Sequence, residues 1–143
     1  MKRILPVLVC LFSFYMMWSQ NPADYKWENR AVVVFTDSAN SEKFEAQRKE
    51  LIADMKGFEE RKLVLLHSTP GKFRRSLPVD SEWIENMEIH NEMLDKDSDF
   101  EVILIGLDGS VKLRQRELLE ARYLFNLIDS MPIRQAEIKR NNY

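Results

Sequence analysis

The chain has 143 residues, with 21 basic and 23 acidic side chains, a formal charge of −2 and one cysteine. That length permits one domain with a core of useful size, and the near-balanced charge, without a concentrated basic stripe, argues against nucleic acid as a partner. A single cysteine excludes a framework of internal disulfides.

The first residues combine Lys2 and Arg3, an apolar run from Ile4 to Trp18 broken only by Pro6 and Ser13, and the small Ser19 before Gln20-Asn21-Pro22. This is the three-part plan of a secretory signal peptide, and the run is short for a membrane span. Residues 1–19 are therefore expected to be removed, with an uncleaved anchor as the alternative. The expected protein is extracytoplasmic, in periplasm or medium, with no transmembrane segment left after cleavage. Cys10 would start a lipoprotein, but Leu11 to Trp18 continues the apolar run where a polar mature start is required. Cleavage leaves 124 residues, none of them cysteine, with 19 basic and 23 acidic side chains. Thiol–disulfide exchange and peroxidase chemistry are excluded for such a chain.

Residues 20–30 form a polar lead-in carrying Tyr25 and Trp27. Ala31 to Thr36, AVVVFT, is a continuous β-branched and aromatic run, the pattern of a strand buried on both faces. Asp37-Ser38-Ala39-Asn40-Ser41 supplies turn formers and N-caps, and the helix it opens has Phe44, Leu51, Ile52, Met55 and Phe58 near one face, with Gly57 as a C-terminal stop. Lys62 to His67 reads as a second buried strand, broken by Ser68-Thr69-Pro70-Gly71. Strand, helix, strand favours a right-handed parallel crossover.

Lys72 to Pro78 reads as a basic loop. From Asp80 a second helix is expected, with Trp83, Ile84, Met87 and Leu94 near one face. Asp80 to Glu101 holds nine acidic residues and one basic one, which reads as a solvated helix surface. Asp108-Gly109 between two apolar runs predicts a hairpin of Phe100–Leu107 and Ser110–Arg114. A third helix, Glu117 to Ser130, is expected to bury Leu118, Ala121, Phe125 and Ile128 before Pro132, and residues 133–143 read as a charged, frayed tail. The order β-α-β-α-β-β-α over residues 31–132 matches an α/β, thioredoxin-like domain, a two- or three-layer sandwich around a mixed sheet.

Four blocks carry a resemblance to a known family: Tyr25-Lys26-Trp27-Glu28-Asn29-Arg30 before AVVVF, Glu60-Arg61-Lys62-Leu63, ILIGLDGSVKLR, and LFNLIDSMPIRQAEI. Together they resemble the domain-of-unknown-function family DUF4174. The resemblance implies a thioredoxin-like, peroxiredoxin-related fold in secreted bacterial proteins, found also in vertebrate extracellular proteins with sushi repeats. It brings no catalytic residues with it.

The chemistry that remains is sparse. Redox thioredoxins need a thiolate after the first strand, where this chain has Asp37-Ser38-Ala39-Asn40. Asp95, Asp97 and Asp99 imitate the start of a calcium loop, but the sixth position is Phe100 and the twelfth Gly106, where glycine and glutamate are required. His67 and His90 are the only histidines and are too few for a zinc site unless carboxylates join them. They are expected at a strand end and on a helix surface. No metal and no cofactor is expected.

The candidate binding surface comprises Trp27, Arg30, Asp37, Ser38, Asp129 and Arg134. Free N–H groups at a helix start bind anions, with Ser38 and Ser41 placed to assist, but the preferred reading of this loop is plain helix capping. Arg30 or Arg134 is expected to pair with Asp129 and pin the lead-in to the last helix. The function expected is that of a binding module for an unknown protein or small ligand. The alternative is an anion- or metal-assisted enzyme using the loop after the first strand.

Overall fold

The structure is a computed structural model that describes residues 25–86, 88–93 and 97–142; the expected signal peptide lies outside them. Six strands form one mixed sheet: β1 (Arg30–Thr36), β2 (Leu63–Thr69), β3 (Lys72–Leu77), β4 (Ile84–Glu85), β5 (Phe100–Ile105) and β6 (Val111–Gln115). Their order across the sheet is β4-β3-β2-β1-β5-β6. β1 and β2 are parallel, as the crossover required, and the other neighbours are antiparallel. The central pair and the β5–β6 hairpin form the thioredoxin-like βαβ–ββ core, completed by the helix after β6.

Both central strands are buried along their whole length, which is why their sequences read as unbroken apolar runs. Side chains alternate between faces. Val32, Val34, Leu65, Val102 and Leu104 meet Phe44, Leu51, Phe58, Leu124 and Ile128 from the helices α1 (Glu42–Ile52), α2 (Met55–Glu60) and α4 (Ala121–Asp129). Ala31, Val33, Phe35, Val64, Leu66 and Ile103 form a second cluster on the other face, with Phe73, Tyr25 and Ile84. His90, from the short α3 (Glu88–Met93), packs against Phe35 on that side, making a third layer.

The hairpin turn is built as its residues dictate. Gly109 has φ +79°, and the Asp108 carboxylate accepts from the Ser110 backbone N–H at 3.0 Å.

Five segments differ from expectation. The first crossover helix is two helices, because Asp54 interrupts it and caps α2 through Gly57 N–H at 2.8 Å. Gly57 is accordingly not a stop but a point of close approach: a Cβ there would lie 2.8 Å from the Phe125 ring. Lys72–Leu77, expected as a basic loop, is strand β3, because Gly71 at φ +80° turns the chain back, Phe73 packs into the second cluster, and a bulge opposite Leu65 and Leu66 turns Leu77 into the first. The helix expected from Asp80 begins only at Glu88. Before it, Asn86 N–H donates to Gly71 carbonyl at 2.9 Å and holds Ile84–Glu85 as an edge strand, while the Asn86 side chain accepts from Glu88 N–H. Trp83 and Ile84 therefore precede the helix, and Met87, Leu94 and Asp95 lie outside the described residues.

The C-terminal half also differs. α4 starts at Ala121, and it is Leu119 that is buried, held by both ends of the Gln47 amide, whereas Leu118 is exposed. Residues 133–143, expected as a frayed tail, belong mostly to a helix, α5 (Pro132–Asn141), started by Pro132 and anchored by the buried Arg134 and Glu137. Burying charge there is possible because each has partners on other elements.

Candidate functional site

Because β1 and β2 are parallel, their carboxyl ends finish side by side, and the turn 37–41 leaves from there. β2 alternation sends His67 to the α1 face, where its ring stacks on Phe44 with centroids 3.6 Å apart and planes 5° apart. The side chain is wholly buried, with the Trp83 ring 5.2 Å away. His67 Nε2 lies 2.7 Å from Thr36 Oγ1, and the Thr36 hydroxyl donates to the Ser38 carbonyl at 2.8 Å. A hydroxyl has one proton to give, so the Nε2–H of His67 is the donor to Thr36. Burial, with the nearby charges of Arg74 and Lys72, pushes the imidazole down to about 3. It is neutral at pH 7.

His67 thus meets the loop, but through Thr36 and a carbonyl, not through the Ser38 hydroxyl. Ser38 Oγ accepts from Asn40 N–H at 3.2 Å, and Ser41 Oγ caps α1 through Phe44 N–H at 3.2 Å. Asp37 and Ser38 themselves are exposed.

On the opposite face, Ser68 Oγ is 3.4 Å from His90 Nδ1. Burial lowers the His90 pKa, and the Asp37 carboxylate opposes that shift. The Ser68 hydroxyl is buried and its contact is at the long limit of a hydrogen bond, so it presents no nucleophile. Among the described residues no group of three or more His, Cys, Asp or Glu is placed to hold a metal ion.

The other candidates sit at the far end of β1, roughly 20 Å away for a strand of this length. Arg30 is fully buried and donates to Glu137 at 3.3 Å and to Arg61 carbonyl at 2.9 Å. Asp129 takes Arg61 at 2.6 Å and Arg134 at 3.2 Å, and Arg134 also reaches Glu137. Burial alone would raise the Asp129 carboxyl, but the bonds from Arg61 and Arg134 hold it below its usual range. The expected Arg134–Asp129 pair is present; Arg30 chooses Glu137 instead. Trp27 stands apart, 65% exposed, with φ +68° and its N–H bonded to Leu107 carbonyl at 2.7 Å. The six candidates thus divide between two ends of the sheet.

The family model described as domain of unknown function (DUF4174) matches residues 21–137. The chain belongs to the DUF4174 family. Among curated proteins nothing matches it. Among solved structures it is similar to the reduced 2-Cys peroxiredoxin of Plasmodium vivax, at 14% identity and a TM-score of 0.49, over 85% of this chain and 84% of that one. No helix among the described residues of this DUF4174 protein is long and apolar enough to cross a membrane.

Sequence reasoning missed Thr36, Trp83 and the charged face of β3 at this strand end. The signal available was alternation in KFRRSL, with Phe73 between Lys72 and Arg74.

Proposed function

We propose that this DUF4174 chain is an extracytoplasmic binding module, without thiol chemistry, that engages a protein or small ligand at the exposed turn after β1. The observation that carries this reading is the commitment of its polar groups. Thr36 and His67 are bonded to each other, Ser38 and Ser41 are used in turn and cap, and His67 is buried and neutral. A general base works best with a pKa near the operating pH, and this imidazole, pushed down to about 3, is a weak one. The exposed Asp37 carboxylate and the Ser38 hydroxyl proton, which the turn does not use, are left as recognition groups.

The alternative, an anion- or metal-assisted enzyme, draws support from the contact between His67 and the loop through Thr36. The two are separated by assay. Binding without turnover in broad hydrolase and reductase screens is expected of the purified protein, with amide shifts centred on Asp37 and Ser38 when periplasmic or medium extracts are fractionated against it. Robust turnover abolished by His67→Gln would establish the enzyme instead. The expected location is checked by fractionation and by the mass of the mature protein, which should begin at Gln20.

A further inference from the structure

Two buried side-chain polar atoms have no hydrogen-bond partner among the described residues, His67 Nδ1 and Arg74 Nε. They belong to one cross-strand pair, His67 on β2 opposite Arg74 on β3. With Nε2–H given to Thr36, the neutral His67 ring offers a bare lone pair at Nδ1, whereas Arg74 Nε–H is a donor. One atom needs a proton and the other needs an acceptor. An unmet buried group costs more than a met one gains, so each such atom calls for a partner, a water or an ion among the candidates.

The surroundings decide what that is. Arg74 and Lys72 both lie over the Trp83 ring, the guanidinium 4.9 Å and the ammonium 4.7 Å from its centroid. The same ring is 5.2 Å from His67, so the four side chains form one cluster. Neither Lys72 nor Arg74 has an ion pair among the described residues; Glu85, opposite Lys72 on β4, is exposed and makes none with it. Both cations also act on His67 in the direction that disfavours a third positive charge. A water molecule would satisfy the two unmet atoms and leave two cations without a counter-charge. A ligand that is negative, accepts from Arg74 and donates to His67 satisfies all of them.

We propose that this corner binds an oxyanion that keeps a proton, of the hydrogen-phosphate class, with Lys72 and Arg74 supplying charge, Arg74 Nε–H donating to one oxygen and His67 Nδ1 accepting from the ligand hydroxyl. Arginine suits this work because its planar fork matches phosphate oxygens, and Trp83 holds both cationic heads in place. The assignment deepens the binding-module reading, since it names a ligand class for the same strand end and extends the surface from the turn to β3.

Sulfate provides the sharpest test, because it matches hydrogen phosphate in charge but has no proton at neutral pH. The purified protein, labelled with ¹⁵N, is titrated at pH 7 with phosphate, sulfate and chloride at matched ionic strength, following Arg74 Nε–H and Trp83 Nε1–H. Phosphate is expected to give saturable shifts, with sulfate weaker by about 10-fold, the cost of leaving one buried acceptor unmet. Arg74→Gln and Lys72→Gln should each weaken phosphate by about 10-fold, while Arg140→Gln, in the last turn of α5, leaves it unchanged. Methyl phosphate, whose second pKa of about 6 leaves it mostly without a proton at pH 7, is expected to bind as weakly as sulfate, which assigns the site to the free ion; binding as tight as inorganic phosphate overturns the hydroxyl contact to His67. Equal shifts with all three salts, or none, mean a water or an adventitious ion only and overturn the proposal, whatever the variants do. Phosphate shifts confined to residues 38–41 and untouched by Arg74→Gln also overturn it, but leave the turn standing as a binding surface.

Discussion

Arg30, the first residue of the first strand, and Glu137, in the last helix, are 107 positions apart and form a buried ion pair at 3.3 Å. Arg134 at 3.4 Å and Lys62 at 3.7 Å share the same carboxylate. Removing one member leaves the other charge buried and unpaired, a loss of about 3–5 kcal/mol. Glu137→Ala should therefore lower unfolding stability by that order in a urea titration at pH 7. Arg30→Met with Glu137→Leu should recover most of the loss. If the single and double variants are equally unstable, the pair is not what holds the helix.

The His67 imidazole sets a pH dependence. Its folded pKa of about 3 lies below the ordinary 6.5 of the unfolded chain, so between those values the unfolded state binds more protons and stability rises with pH. The stabilising contribution is full above pH 6.5 and is lost progressively as pH falls toward 3. Arg74 and Lys72 face the ring and deepen the shift, and Asp129, whose pKa is lowered by Arg61 and Arg134, adds a slope of its own on the acid side. His67→Phe keeps a ring against Phe44 and removes the titration. Its stability should change less steeply than wild type between pH 6 and 4. In wild type the His67 ring signals should stay fixed over that range.

Gly57 tests packing against propensity. Replacing glycine by alanine inside a helix ordinarily gains up to about 1 kcal/mol. Here the new methyl would sit 2.6 Å from the Asp54 carboxylate and 2.8 Å from the Phe125 ring. The Asp54 side chain is the α2 cap and Phe125 is in the core, so neither yields freely. Gly57→Ala is expected to destabilise by about 1–3 kcal/mol, read as a fall in the denaturant midpoint.

Trp27 combines an exposed indole with left-handed backbone, which costs a bulky residue about 1 kcal/mol. Asparagine tolerates that conformation. Trp27→Asn should leave stability unchanged or raise it by up to about 1 kcal/mol, despite the loss of a large aromatic group. A clear loss would show that the indole packs in solution.

The elements that depend on local pattern were legible in the sequence. AVVVFT and KLVLLH announce buried strands because both faces are covered, and Asp108-Gly109 announces its hairpin because the turn needs those residues. What depends on a distant partner was not. KFRRSL looks like a basic loop until Trp83 is present to receive Lys72 and Arg74. Residues 133–143 look like a solvated tail because the reason to bury Arg134 and Glu137 lies on β1 and on the segment ending α2. The same holds for the strand end: Thr36 and His67 are far apart in sequence, and only the parallel register joins them.

The position of Glu137 also sets an order of events. A chain made from its amino end holds Arg30 without its carboxylate until residue 137 has been added, and until then the strand at the centre of the sheet has an unneutralised charge to bury. The sheet therefore gains its full stability only once residue 137 is in place, and a chain cut short of α5 should be less stable by the cost of that buried, unpaired charge.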